Sequence, residues 1–415
     1  MAERDSSYPL LSVEEALERF LARVPLLPAE PRPILECLDL VLAEDVMADR
    51  DVPPLANSAM DGYALRAADL EGATAEAPVR LDVIAELPAG KVFAGLVGPG
   101  QAVRIMTGAP IPRGADTVVR FEDVAESGSA GDRQVLISRP VRRGSNVRQA
   151  GEDVRAGQVV LPKGTRLRPQ EIGMLASVGR VEAMVYRRPR VAILGTGDEL
   201  VSAGEQPGPG QIRDINSYAC AAQALRAGAT PILLGIAADR RDPLAAGIRR
   251  GLEAGADLFI TSGGVSVGDF DLVKRVLATE GQIDFWWVNM KPGKPLAFGS
   301  VGGVPLLGLP GNPVAAMISF DLFARPALRK MQGFTDWTWP ELTARLASAI
   351  ERKDGRRHYL RVRLRRTEEG WQADLTGDQG SGILNSMVQA DGLAVIPEQA
   401  ERLPAGAQVR VLLLE

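Results

Sequence analysis

Three acids stand beside glycine-rich or helix-opening loops: Glu199 in Gly195-Thr196-Gly197-Asp198-Glu199, Asp239 in Ala237-Ala238-Asp239-Arg240, and Asp269 in Thr261-Ser262-Gly263-Gly264-Val265-Ser266-Val267-Gly268-Asp269-Phe270-Asp271. The third loop is the most informative. It follows the apolar run Asp257-Leu258-Phe259-Ile260 and precedes a helical stretch over residues 271–280. A strand, a glycine-rich loop and a helix in that order present backbone N–H groups and a helix N-terminus to an anion. Gly263, Gly264 and Gly268 allow tight turns and close backbone approach. Asp269 and Asp271 repel a bare phosphate but suit one that arrives with Mg²⁺. The same residues also fit a plain βα turn with an N-capping Asp, and Asp198 or Asp239 can each be read as a helix cap.

Other groups could handle anions. Two prolines stiffen Lys291-Pro292-Gly293-Lys294-Pro295 and hold its lysines at limited spacing. Paired lysines suit an oxyanion such as phosphate, sulfate or molybdate, although a solvated turn between strands is the plainer alternative. Gly308-Leu309-Pro310-Gly311-Asn312-Pro313 ends an apolar run, and its last proline can take the first position of a helix. The loop Asn57-Ser58-Ala59-Met60-Asp61-Gly62-Tyr63-Ala64 carries one acid and one tyrosine; by residue chemistry alone it is only suggestive. Thr107 in Met106-Thr107-Gly108-Ala109-Pro110 and Asp153 after Gly151-Glu152 could cap or bind. Gly380-Ser381-Gly382 is a flexible turn able to offer hydroxyl and amide groups, and Arg356, Arg357 and Arg361 form either a binding cluster or a solvated strand face.

Composition narrows the chemistry. There is one histidine, His358, and two cysteines, Cys37 and Cys220, far apart in sequence. Zinc held by His and Cys, and triads built on His, are nearly excluded. The cysteines read as buried free thiols in a reducing cytoplasm. Catalysis must therefore run on carboxylates, lysines, arginines, backbone amides or a bound hard metal. A net charge of −4 gives no footprint for nucleic acid. Apolar segments fall far short of a membrane span, and the first residues lack the basic-then-apolar pattern of a signal peptide.

The elements that must position these groups follow from periodicity. At 415 residues the chain is too long for one core, and two to four domains are expected. Residues 12–24 open with a capping box and continue with helical spacing. Residues 33–48 mix helix and strand, and 49–60 read as a long loop. Short β-like runs over 79–83, 101–105, 117–119 and 134–137 suggest a small all-β domain. A helix is predicted over 169–177. Between 188 and 330, strands at 191–194, 231–236, 257–260 and 304–309 alternate with helices at 215–227, 242–254, 271–280 and 313–330. That alternation predicts a parallel, doubly wound α/β sheet. Ligands of such sheets sit at the carboxyl ends of the strands, which would bring Glu199, Asp239 and Asp269 near one crevice. The tail 341–415 alternates again and suggests a second β domain.

Seven segments, in order and spanning essentially the whole chain, resemble the molybdopterin molybdenumtransferase family, the bacterial enzymes akin to the gephyrin E domain. They are SAMDGYA at 58–64, MTGAP at 106–110, GED at 151–153, GTGDEL at 195–200, SGGVSVGDFD at 262–271, KPGKP at 291–295 and GLPGNP at 308–313. The resemblance implies an elongated homodimer of four-part subunits: a discontinuous mixed domain over 8–52 and 153–187, an inserted β domain over 53–152, an α/β molybdopterin-binding domain over 188–332 akin to molybdopterin adenylyltransferase, and a C-terminal β-barrel-like domain over 336–415. It implies hydrolysis of adenylylated molybdopterin to AMP with insertion of molybdate at the dithiolene, in the cytoplasm. Molybdopterin adenylyltransferase and molybdoenzyme-maturation proteins are the implied partners.

Site residues carried over by that resemblance are Asp61, Thr107, Asp153, Glu199, Asp239 and Asp269 as functional groups, with Glu199, Asp239 and Asp269 at the Mg²⁺ and phosphate end. Gly195, Thr196, Gly197, Ser262, Gly263, Gly264, Ser266, Gly268, Pro310 and Pro313 become candidates for binding the pterin substrate. Lys291, Lys294, Ser381 and the arginines up to Arg361 become candidates for molybdate. Two other readings stand beside this one: an adenylyltransferase, which would consume ATP, and a non-catalytic gephyrin-like scaffold, which would not need the full set of motif acids retained here.

Overall fold

The computed structural model describes residues 10–128, 132–263 and 281–414, and for residues 281–285 the backbone alone. The helix expected over 271–280 lies outside the described residues, as do Gly264, Ser266, Gly268 and Asp269. The chain divides into two compact units, one of residues 1–31, 39–43 and 184–415, the other of residues 32–38 and 44–183.

The first unit is built on a seven-stranded sheet in the order Leu10–Leu11, Gly281–Val288, Pro295–Val301, Val304–Leu309, Leu258–Ser262, Arg190–Thr196, Thr230–Ala237. Its last four strands are mutually parallel, as their continuous apolar runs demand. Helices cover both faces. Val191, Ile193, Leu258 and Ile260 face Cys220 and Ala224 of the helix Asn216–Arg226. Ala192, Leu194 and Phe259 face Leu244 and Ile248 of the helix Arg241–Glu253. Gly247 explains a glycine in mid-helix, since a Cβ there would stand 2.9 Å from the Leu194 side chain. All four parallel strands deliver their carboxyl ends to one edge, where the loops after residues 196, 237 and 309 begin beside Gly263.

Two strands that the alternation did not predict, Gly281–Val288 and Pro295–Val301, extend the sheet as an antiparallel hairpin. The lysine loop is the turn of that hairpin. From it Met290–Lys291 pairs in parallel with Arg357–His358, handing Lys291 to the next layer. That layer is a closed barrel in which Arg357–Thr367, Gly370–Leu375, Glu341–Leu346, Gln408–Leu413 and Gly392–Ile396 pair in turn and the last returns to the first. Leu360, Val362, Ala394, Ile396 and Val411 fill its interior.

The expected helix 313–330 is real but interrupted. Pro313–Ser319 and Arg325–Met331 flank one π-helical turn, Phe320–Ala324, which carries the buried Asp321. In the second unit the helix Pro169–Ser177 starts on its proline as expected. Six strands form one sheet there, in the order Thr117–Arg120, Gly62–Leu65, Gln101–Ile105, Val79–Leu87, Gln134–Ile137, Ala125–Ser127. Tyr63, Leu65, Val119 and Val135 pack on one of its faces, and Ala64, Val103, Ile105 and Val118 on the other.

Candidate functional site

A cavity of about 320 Å³ lies at the carboxyl edge of the parallel strands, lined among others by Thr196, Glu199, Asp214, Asn216, Ser262 and Gly311. Its walls are held by short polar ties. Thr196 Oγ1 donates to the Ser262 carbonyl at 3.2 Å, joining the ends of two adjacent strands. Asn216 Nδ2 donates to Ser262 Oγ at 2.6 Å and to the Gly311 carbonyl at 2.8 Å, joining the end of one strand to the loop after another. The buried Asp214 accepts from the Ser217 amide at 3.1 Å, meeting one of the free N–H groups in the first turn of the helix Asn216–Arg226. Gly197 has φ +145°, and a Cβ on it would meet the Glu199 carboxylate at 2.5 Å, so the GTG element lets that acid fold back over its own backbone. Gly263, at φ +90°, leaves no room for a Cβ against the Thr196 carbonyl.

The structure therefore brings together Thr196, Gly263, Ser262, Glu199 and Pro313 of the expected set. Asp239 lies one loop away, where its amide donates to Asp198 Oδ1 at 3.1 Å. Among the described residues no group of three or more His, Cys, Asp or Glu could hold a metal ion. Mg²⁺ keeps most of its waters and needs only one or two protein carboxylates beside phosphate oxygens. The exposed Glu199 at the cavity wall suits that demand.

A second cavity of about 490 Å³ opens beside the barrel, lined by Lys291, Arg352, His358, Arg361, Asp378 and Gln379 among others. Arg361 is fully buried. Its Nε donates to Ser386 Oγ at 3.0 Å, and its Nη2 donates to the Gly380 carbonyl at 2.9 Å. Its Nη1 has no hydrogen-bond partner. Burial presses the guanidinium toward losing its proton, against the pull of Asp378. A buried cation with an unmet donor is costly unless an anion completes it. Lys291 Nζ sits 3.1 Å from Asp354 Oδ2. The other lysine of the loop takes a different place, with Lys294 Nζ 3.9 Å from the centre of the Trp287 ring. Ser381 contributes its backbone, its carbonyl accepting from the Val314 amide at 3.1 Å. That bond ties the loop beside the second cavity to the helix that borders the first.

In the other unit, Asp61 and Thr107 meet. Thr107 donates its amide at 2.7 Å and its hydroxyl at 2.8 Å to the same oxygen, Asp61 Oδ1. These bonds, with Arg104 nearby, hold the Asp61 carboxyl below the usual range. Asp153 is exposed, and its amide donates to the Val52 carbonyl at 3.0 Å.

Known proteins match along the whole chain. Residues 11–179 match the MoeA N-terminal region (domain I and II), residues 192–330 a probable molybdopterin binding domain, and residues 343–414 the MoeA C-terminal region (domain IV). The molybdopterin molybdenumtransferase of a Nostoc species is 39% identical, with 98% of this chain and 94% of that one covered. The chain belongs to the molybdopterin molybdenumtransferase family. Molybdopterin molybdenumtransferase 2 of Mycobacterium tuberculosis is 38% identical over 91% of this chain and 93% of its own. In three dimensions the chain is similar to the molybdopterin biosynthesis moeA protein of Pyrococcus horikoshii, at 32% identity and a TM-score of 0.82, with 98% of this chain and all of that one covered.

Within this molybdenumtransferase family member, sequence reasoning passed over several residues that build the cavities. Asp214 lies just before, and Asn216 opens, a helix with no marked capping signature, and their role appears only when the strand ends converge. Ser386 belongs to the five-residue helix Leu384–Val388, too short to show periodicity. His358 and Asp354 had no motif at all.

Proposed function

We propose that this chain inserts molybdate into adenylylated molybdopterin and releases AMP, within molybdenum cofactor biosynthesis. Membership of the family supports the coarser part of this statement, a molybdenum transferase of that route. The observation that carries the finer part is Arg361, buried, one donor short, and lining the same cavity as Lys291. A doubly charged tetrahedral oxyanion suits that pair, because it supplies several acceptor oxygens to a fixed guanidinium and a lysine at once. The cavity at the strand ends is then the place for the pterin and its phosphates, with the Ser381–Val314 tie keeping the two ligands in adjoining compartments.

Each residue takes a part suited to its setting. Thr196, Ser262, Gly263 and the 310–313 loop offer hydroxyls and backbone amides to phosphate oxygens. Lys291 and Arg361 hold molybdate while the two dithiolene sulfurs of the substrate bond to molybdenum and one oxo ligand leaves as water with the two thiol protons. Water cleaves the phosphoanhydride, and AMP leaves. Mg²⁺, held by Glu199 with Asp239 and Asp269, would neutralise phosphate charge. Asp61, Thr107 and Asp153 are further functional groups of the reaction, in a homodimer. The four-part domain division stands as part of this reading, as does a cytoplasmic location; among the described residues no helix is long and apolar enough to cross a membrane.

Substrate choice tests the proposal. Given molybdopterin and ATP, the protein should leave ATP intact; given adenylylated molybdopterin and molybdate, it should release AMP. Consumption of ATP would replace this reading with an adenylyltransferase, and no turnover of either by a folded, pterin-binding protein would leave a scaffold.

A further inference from the structure

The only histidine in the sequence lies in the wall of the second cavity, 2% exposed, at the strand position paired with Lys291. Its Nε2 is 2.7 Å from Asp354 Oδ1. The other oxygen of the same carboxylate is 3.1 Å from Lys291 Nζ and 3.3 Å from Arg356 Nη2. Asp354 does not line the cavity, whereas Lys291, Arg352 and Arg361 do, opposed by the carboxylate of Asp378 alone. We infer that Asp354, anchored by His358, is a positioning residue that fixes the ammonium group of Lys291 at the mouth of the oxyanion cavity. This rests on the functional reading above and adds to it a pair of residues that no motif contains.

The physical case is one of preorganisation. A half-exposed lysine loses rotamer entropy when a ligand fixes it, and that loss weakens binding. A carboxylate standing behind Nζ takes that freedom away in advance without filling the cavity. The carboxylate must itself be held, and the buried imidazole does this. Burial, with Arg352 and Lys291 nearby, moves the His358 pKa below its ordinary value against the pull of Asp354. Near neutral pH the ring is uncharged, and its Nε2–H donates to Asp354. Burial pushes the Asp354 carboxyl up, but the bonds from His358 and Lys291, with Arg356 alongside, outweigh it and hold the group well below the usual range, so it stays ionised. Arg357, the neighbour in sequence, turns to Glu14 and Glu398 instead and takes no part.

The test is AMP release by the full chain against sodium molybdate concentration at saturating adenylylated molybdopterin, with calorimetric titration of sodium molybdate alongside. Asp354→Asn should raise KM for molybdate about tenfold, the order set by freeing one lysine, with kcat little changed. His358→Leu should raise KM in the same direction, and His358→Gln, whose side-chain amide can still donate to Asp354, should restore it. Rescue by Gln but not Leu separates positioning from mere packing, and it remains readable if Asp354→Asn fails to fold. Unchanged or lower KM in Asp354→Asn and His358→Leu, with wild type normal, would overturn this inference alone. Failure of wild type to bind molybdate or to respond to it would overturn the functional reading and this inference with it.

Discussion

Thr107 donates both its amide and its hydroxyl to a single oxygen of Asp61, leaving the other carboxylate oxygen without a bond to Thr107. The pair is exposed and joins two motifs forty-six residues apart in sequence. Such an arrangement aims a carboxylate and keeps it ionised, which suits a group that meets a ligand better than one that holds a fold. Asp61→Asn should therefore lower turnover by about 10²-fold, the scale of losing a positioned acid–base or charge-stabilising group, with no change in melting temperature. Thr107→Val should lose part of that activity. A variant Asp61→Asn with wild-type turnover would remove Asp61 from the site.

Gly197 makes a sharper demand. Its φ of +145° is open to glycine, and a Cβ would press on the Glu199 carboxylate. Gly197→Ala should cost about 1–3 kcal/mol of local backbone strain and displace Glu199, so the Mg²⁺ concentration giving half-maximal activity should rise. Gly204, with no atom within 4 Å of its would-be Cβ, provides the control, and Gly204→Ala should leave both unchanged. Equal Mg²⁺ responses in the two variants would contradict a role for Glu199 at the metal.

How far these features could be read in advance depends on their range along the chain. Local signals served well. Ser12 with Glu15 gave the capping box, Pro169 and Pro313 gave helix starts, and unbroken apolar runs gave the four parallel strands. The strands of the hairpin 281–301 fall outside the strand–helix alternation, and the loop 291–295 reads as an oxyanion site as readily as a turn between strands, so its β pairing was not predicted. The π turn at 320–324 leaves no trace in apolar spacing. In the site, Thr196, Ser262, Gly263 and Glu199 stood in loops whose residue types suit anion binding, and the structure gathers them at one cavity. Ser386, Asp354 and His358 were not legible, because each matters only through a partner brought in by barrel closure or by the bridge at Lys291.

Asp321 offers a pH test of the core. It is 3% exposed on the π turn and lies against Gln223. Burial raises its pKa to about 7, with Arg226, Gln223 and Arg325 offsetting only part of the effect. The folded state thus binds a proton that the unfolded chain has released above about pH 4. Stability should be fully present below that pH and fall as pH rises to about 7. Asp321→Asn, a neutral isostere, should melt a few degrees higher than wild type at pH 8 and lose that advantage near pH 4. Parallel melting curves for the two proteins across this range would show that Asp321 is ionised in the fold.

Arg361 should tolerate no substitute that loses the fork of its guanidinium. Arg361→Lys keeps the charge but cannot donate to Ser386, to Gly380 and to a ligand in one plane. Its KM for molybdate should rise by about 10²-fold, the scale of losing one or two charge-assisted bonds. A normal KM would place molybdate elsewhere.

The most direct measurement of the central claim is AMP release by purified protein given adenylylated molybdopterin, Mg²⁺ and molybdate, with molybdenum bound to the pterin product measured in the same samples and Asp269→Ala as the control. The account predicts one AMP for each molybdenum inserted, dependence on molybdate, and loss of both in the variant. AMP release without molybdenum insertion, or insertion undiminished in the variant, would contradict it.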